Sequence, residues 1–284
     1  MKTILLRLLC GLSLAAWLGG SALAAGPLST LYVTNYGELG GGTMTGLDLI
    51  QGVTANSYPT SYPLGINIAV YGDVRTMGYS TGDKGERFDL AANPLPGGPY
   101  INNIANSQLH DGTSDGNSNY TVNYTTGDVL RFDRNWASPV VQFNVSGTLP
   151  GAGWITMNPL DGSFWISQWG GPDQVNHYTN SGTLLGSFNS GVFGSAGLAL
   201  DPLDGTLWMG DSNLVLHQFS QAGAPLQSIG YGLQGSWYGM EFNTRIIVPE
   251  PSSVVLGAIG LFTAYSIAAR RRRIDRSVPL RRMR

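Results

Sequence analysis

Two stretches of this 284-residue chain are near copies of each other, 43 residues apart. One runs from Trp154 to Ser167 and the other from Gly197 to Gly210, and both centre on Pro-Leu-Asp-Gly, at Pro159–Gly162 and Pro202–Gly205. In that tetrapeptide Pro sets φ, Asp bonds the local backbone and Gly accepts a positive φ, so each copy reads as strand, turn, strand. The apolar and alternating flanks fit buried strands. The second strand of the unit recurs five times, at Leu31–Tyr36, Val74–Ser80, Tyr120–Thr125, Phe164–Trp169 and Leu207–Ser212, with centres 43, 45, 44 and 43 residues apart. A third strand follows each copy, at Gly46–Ile50, Glu86–Leu90, Val129–Asp133, Val175–Thr179 and Val215–Ser220. Four of these end on an aromatic residue and then a polar one: Phe88-Asp89, Phe132-Asp133, Tyr178-Thr179 and Phe219-Ser220. Weaker outer strands follow, as at Val140–Val145 and Leu184–Phe188.

A fixed period of about 43 residues holding four strands is the size of a propeller blade. One blade cannot bury both faces of its sheet; stacking blades around an axis buries them, and closing the ring hides the sheet edges. The expected fold class is therefore all-β: a β-propeller of about five four-stranded blades over residues 25–247. Gly239–Asn243 matches Gly197–Asp201 at an offset of 42 but has no blade after it, while the N-terminal repeat starts at a second strand, Leu31. These N- and C-terminal strands are expected to complete one blade and close the ring.

Composition narrows the partners. Forty glycines and only 12% charged residues suit a turn-rich β protein rather than a helical bundle. Seventeen of the 18 acidic residues fall between Ala25 and Ala269, against six basic ones, which leaves that span at a formal −11. Phosphate binding needs clustered Lys and Arg, so nucleic acid is excluded as a partner. The one cysteine is Cys10, so neither a disulfide scaffold nor a thiolate metal site is expected.

The ends carry addresses. Lys2 and Arg7, the apolar Leu8–Leu18 and the small residues of Ser21–Ala24 form a secretory signal helix, 1–24, cleaved after Ala24, which assigns the chain to the secretory translocon. At the other end Val248-Pro249-Glu250-Pro251 precedes sixteen uncharged residues, Val254–Ala269, and then Arg270, Arg271, Arg272 and Arg273. As a transmembrane helix those sixteen residues would rise about 24 Å, slightly short of the roughly 30 Å hydrocarbon core, with the arginines held on the cytoplasmic side. This triplet, apolar helix and arginine cluster at the chain end resemble the PEP-CTERM sorting signal, over 248–273. The resemblance implies a Gram-negative host that makes exopolysaccharide. It also implies an exosortase acting at Pro249-Glu250-Pro251, and a route through the inner membrane to the cell surface or extracellular matrix. This chain departs from the pattern in continuing through a basic cytoplasmic tail, 274–284.

The middle offers little chemistry. Of its glutamates Glu38, Glu86 and Glu241, only Glu241 falls on an expected inner strand, and no second acid is expected beside it, as paired-carboxylate hydrolysis would need. The run 111–119 resembles the start of a calcium loop but lacks its Gly and terminal Glu, and reads as an inter-strand loop. His110, His177 and His217 have no partner at metal-ligand spacing, so no metal and no cofactor is expected. Trp165 and Trp208 are expected in the core between blades. Trp154, Trp237 and Tyr238, with Glu241, sit near one mouth of the ring, where aromatic faces can stack on sugars. Two functions remain: a non-catalytic surface or matrix protein binding a glycan or protein through a propeller face, and a secreted carbohydrate-active hydrolase on the same ring.

Overall fold

The computed structural model describes residues 30–36, 42–48, 53–59, 66–91, 93–170, 173–230 and 236–245. All lie in the unit Met1–Ile246. The signal segment, Pro249-Glu250-Pro251, the apolar stretch and Arg270–Arg273 lie outside the described residues.

The architecture is all-β. Four sheets are each built from four consecutive antiparallel strands. The first holds β4 (Asn67–Val70), β5 (Val74–Met77), β6 (Lys84–Phe88) and β7 (Pro94–Ile101), and the second β8 (Leu109–Ser114), β9 (Ser118–Asn123), β10 (Asp128–Asp133) and β11 (Val140–Asn144). The third holds β12 (Ala152–Met157), β13 (Phe164–Gln168), β14 (Gln174–Tyr178) and β15 (Leu184–Asn189), and the fourth β16 (Leu198–Leu200), β17 (Leu207–Gly210), β18 (Val215–Phe219) and β19 (Pro225–Gly230). A further sheet joins β20 (Ser236–Phe242) to β1 (Thr30–Tyr36), β2 (Gly42–Asp48) and β3 (Val53–Pro59). Leu31 pairs with Phe242 and Val33 with Met240 across the β1–β20 seam.

The sheets stand as the blades of a propeller. The first strands β4, β8, β12, β16 and β20 pack side by side in that order, and β20 touches β4. Apolar clusters fill the gaps between neighbouring sheets. Ala69 and Met77 meet Leu109 and Phe132; Tyr120 and Val122 meet Ile155 and Phe164; Trp165 and Val175 meet Leu198 and Met209; Trp208 and Leu216 meet Leu31 and Trp237; and Tyr32 meets Ile68 and Val70. Trp165 and Trp208 are buried in these gaps, as expected.

The repeat signatures have physical meanings. In both Pro-Leu-Asp-Gly turns the Gly N–H returns to the residue before Pro, Gly162 to the Asn158 carbonyl and Gly205 to that of Asp201, each at 2.8 Å. Both glycines sit at φ +73, a region costly for a side chain. The Asp side chain accepts the following N–H: Ser163 to Asp161 and Thr206 to Asp204, each at 2.9 Å. In the aromatic-plus-polar pairs, Phe88, Phe132, Tyr178 and Phe219 are buried between sheets. The polar partner caps the next turn: Asp89 accepts from Asn93 N–H, Asp133 from Ala137, Thr179 from Thr183 and Ser220 from Ala224.

One boundary differs from the sequence expectation. The run 111–119 is not a loop throughout: β8 extends to Ser114 and β9 starts at Ser118, leaving a tight turn in which Asp115 accepts the N–H groups of Asn117 and Ser118. Strand β8 is polar in composition yet wholly buried, because its partners come from other blades.

Candidate functional site

Strand β8 carries His110 and Asp111 side by side, and the two enter different surroundings. Asp111 turns to the axis of the propeller arrangement, among the first strands, where it is fully buried. Its Oδ1 accepts the N–H groups of Gly112 and Met240, at 2.9 and 3.0 Å, and its Oδ2 those of Leu198 and Ile155, at 3.0 and 3.3 Å. One carboxyl thereby ties β8 to β20, β16 and β12. The inner strands close tightly here: a Cβ on Gly239 would lie 2.4 Å from the Ile66 carbonyl oxygen. Glu241, also fully buried, accepts the Thr156 hydroxyl at 3.0 Å and the Phe242 N–H at 3.0 Å. Burial pushes both carboxyls well above the usual carboxylate range, and the Asp111 charge raises Glu241 further. The expectation that Glu241 has no neighbouring acid is therefore corrected. The second acid is Asp111, obscured in the sequence by its position in an oxygen-rich run.

His110 faces the end of the propeller where second strands hand over to third strands. It is 3% exposed, and neither ring nitrogen has a hydrogen-bond partner. Burial alone lowers its pKa to about 4, so the imidazole is neutral at ordinary pH. Five aromatic rings surround it. Tyr79, Trp154 and Tyr124 meet it edge-on, with centroids at 4.9, 5.2 and 5.7 Å, while Trp169 lies tilted at 5.7 Å and Tyr238 stacked at 5.9 Å. Trp169 also packs edge-on against Tyr124 at 5.3 Å. Tyr79, Tyr124 and Tyr238 are half-buried and Trp169 is 43% exposed, so together they form an open aromatic wall over the buried His110.

The sequence-derived aromatic pair sits elsewhere than expected. Trp154 does not face solvent: it is 1% exposed, and its indole N–H donates to Ser195 Oγ at 3.0 Å. Trp237, also 1% exposed, lies in the cluster with Leu31, Val33 and Trp208. Both side chains fill space between neighbouring sheets, where burying a large ring gains more than exposing it. Neither presents a stacking face. Glu241 is likewise shut away at the axis, and of the four only Tyr238 reaches the wall.

Sequence reasoning passed over Tyr79, Tyr124 and Trp169, and weighed His110 only as a metal ligand. A signal for the three aromatics exists. Tyr79, Tyr124 and Trp169 follow one another at intervals of 45 residues, at the ends of successive second strands. Equivalent positions in successive blades share one end of the ring, so a periodic aromatic there predicts a shared aromatic surface.

The other histidines are structurally engaged. His177 stacks on Trp165 with centroids at 4.0 Å and meets Ser163 Oγ at 2.8 Å, while His217 lies 3.2 Å from Asp211 and 2.9 Å from Ser228. Among the described residues no group of three His, Cys, Asp or Glu side chains is placed to hold a metal ion.

No known protein family matches this sequence, and no curated protein does. Solved structures do resemble it. A chain of a nidogen–laminin complex superposes with a TM-score of 0.52 at 12% identity, over 77% of this chain and all of that one. A Bacteroides thetaiotaomicron protein of unknown function also superposes with a TM-score of 0.52, at 13% identity, over 77% of this chain and 65% of that one. At such identities the likeness bears on fold alone, and it agrees with the propeller arrangement of four-stranded sheets.

Proposed function

We propose that this chain is a non-catalytic, exported surface or matrix protein that binds neutral glycan through the aromatic end of its ring. The observation that carries this reading is the wall of Trp169, Tyr79, Tyr124 and Tyr238. Trp169 offers an exposed indole face, and three tyrosines offer further edges beside it. Aromatic faces pack on the C–H surfaces of pyranose rings, and such contacts contribute roughly 0.5–1.5 kcal/mol beyond the area buried. A formal charge of −11 across residues 25–269 disfavours anionic polymers and leaves neutral sugars free of that cost. One or two such contacts give affinities of about millimolar to high micromolar, which many anchored copies would strengthen through avidity.

The ring itself we take as five blades, sealed where β20 pairs with β1. A signal peptide at 1–24, exosortase processing at Pro249-Glu250-Pro251 and the arginine cluster Arg270–Arg273 would bring it to a surface where exopolysaccharide abounds. Replacing Glu250 by Ala should then hold the protein in the inner membrane, with the Arg-rich tail still present by intact mass. A hydrolase reading draws on Asp111 and Glu241. We assign both to the fold, because each is fully buried and engaged with backbone N–H groups.

Calorimetric titration of the full chain with neutral hexasaccharides tests the binding claim. Wild type should bind at least one of them, and Trp169→Ala should lose about ten-fold or more in affinity. Absence of binding across the panel, or binding indifferent to Trp169, would remove the glycan reading.

A further inference from the structure

A wall of aromatic rings explains adhesion to a sugar but not the choice of sugar. That choice needs a polar group of fixed position, and behind the aromatic wall lies one whose hydrogen-bonding capacity is unused. A neutral imidazole has one donor and one acceptor nitrogen. In His110 both are buried and unpartnered, while every ring around it is held at contact distance. Buried polar atoms without partners are rare in folded proteins, because each loses water and gains nothing in return. His177 and His217, on equivalent third strands, each find a hydroxyl partner.

We propose that His110 is the specificity-determining contact of the site, donating to or accepting from a hydroxyl of an uncharged pyranose ring that stacks on the aromatic wall. The inference rests on the glycan reading above and adds the polar contact to it. The ligand is uncharged because the rings that surround His110 are Tyr79, Tyr124, Trp154, Trp169 and Tyr238, none of which carries a charge to pair with one. It bears a hydroxyl because a purely apolar ring would leave both nitrogens as they are. Access is through Trp169. Trp154 is pinned by its bond to Ser195 and shut in, whereas Trp169 is the one well exposed ring over His110. Its indole would turn away from the imidazole and close on the outer face of the sugar. A site whose buried polar group is satisfied only by the right hydroxyl discriminates strongly against analogues that lack it.

The test is made on the full chain with β-1,3-glucan, β-1,4-glucan and β-1,4-mannan hexasaccharides. His110→Phe keeps an aromatic ring in the packing and removes both nitrogens; it should weaken binding of the preferred hexasaccharide about ten-fold or more. His110→Gln, which keeps a donor and an acceptor, should stay within about three-fold of wild type. The same contact is readable without substitution. The chain has three histidines, so the imidazole ¹⁵N resonances of wild type can be followed during titration, and those of His110 should move while those of His177 and His217 stay. If glycan binds with wild-type affinity to His110→Phe, or the His110 resonances do not move, the inference is overturned and the stacking reading stands. If no hexasaccharide binds wild type, both fall together.

Discussion

His110 and Asp111 are neighbours on one strand, both almost completely buried, and they differ in every other respect. Asp111 accepts four backbone N–H groups from four strands, so its burial cost is met where it stands. His110 meets only the faces and edges of aromatic rings, and its nitrogens are left wanting. A saturated buried carboxyl ties the first strands of neighbouring blades together. An unsatisfied buried imidazole does nothing for the fold that phenylalanine would not do better. The difference separates scaffold from site within a single strand, a distinction that burial by itself does not draw.

The largest effect should come from breaking the saturated partner. Asp111→Ala would leave four inward N–H groups without an acceptor, at about 1–3 kcal/mol for each that water cannot reach. A loss of roughly 4 kcal/mol or more is expected in urea unfolding, enough to unfold a marginal domain. If the variant unfolded within about 1 kcal/mol of wild type, the axial carboxyl would not be the tie between blades.

The unsatisfied partner should behave in the opposite way. His110 is held at about 4 in the fold against about 6.5 in an unfolded chain, so the unfolded state binds the proton more tightly between those values. Its contribution is complete above pH 6.5 and is lost as pH falls towards 4, about 3 kcal/mol over that window. His110→Phe should flatten this acid limb. At pH 7 it should also raise the unfolding temperature by about 2–4 °C, since it removes two unmet polar atoms. A lower unfolding temperature would mean that His110 has a structural partner after all.

The axial carboxyls give the converse limb. Their raised values mean that the fold retains a proton which the unfolded chain has already released. Stability from this source is complete below the ordinary carboxylate range and declines as pH rises through the raised range. Glu241→Gln should reduce the alkaline decline, leaving the share that Asp111 contributes, without disturbing the acid limb of His110. Loss of both limbs together would show that the two regions are coupled.

Much of the scaffold is legible in the sequence because its determinants are local. Pro159-Leu160-Asp161-Gly162 and its copy specify a turn by backbone preference alone, and Phe132-Asp133 encodes a buried ring followed by a turn cap. The axis and the aromatic wall are less legible because their determinants are distant in sequence. The run 111–119 reads as an inter-strand loop until Met240, Leu198 and Ile155 supply N–H groups to Asp111, up to 129 residues away. Trp154 looks like an aromatic at a mouth until Ser195 and the next blade enclose it. Trp169 and Trp165 are four residues apart, yet one is exposed and the other buried. Only the position of Trp169 beyond the end of β13, repeated at Tyr79 and Tyr124, separates them.

The most direct test of the account is a crystal structure of the full chain with the hexasaccharide it binds most tightly. A pyranose ring should lie on the Trp169 indole, with one hydroxyl about 2.7–3.2 Å from a nitrogen of His110, and Asp111 and Glu241 should keep their present partners. Sugar bound at the opposite end of the ring, or over Trp169 with His110 still covered and unpartnered, would contradict it.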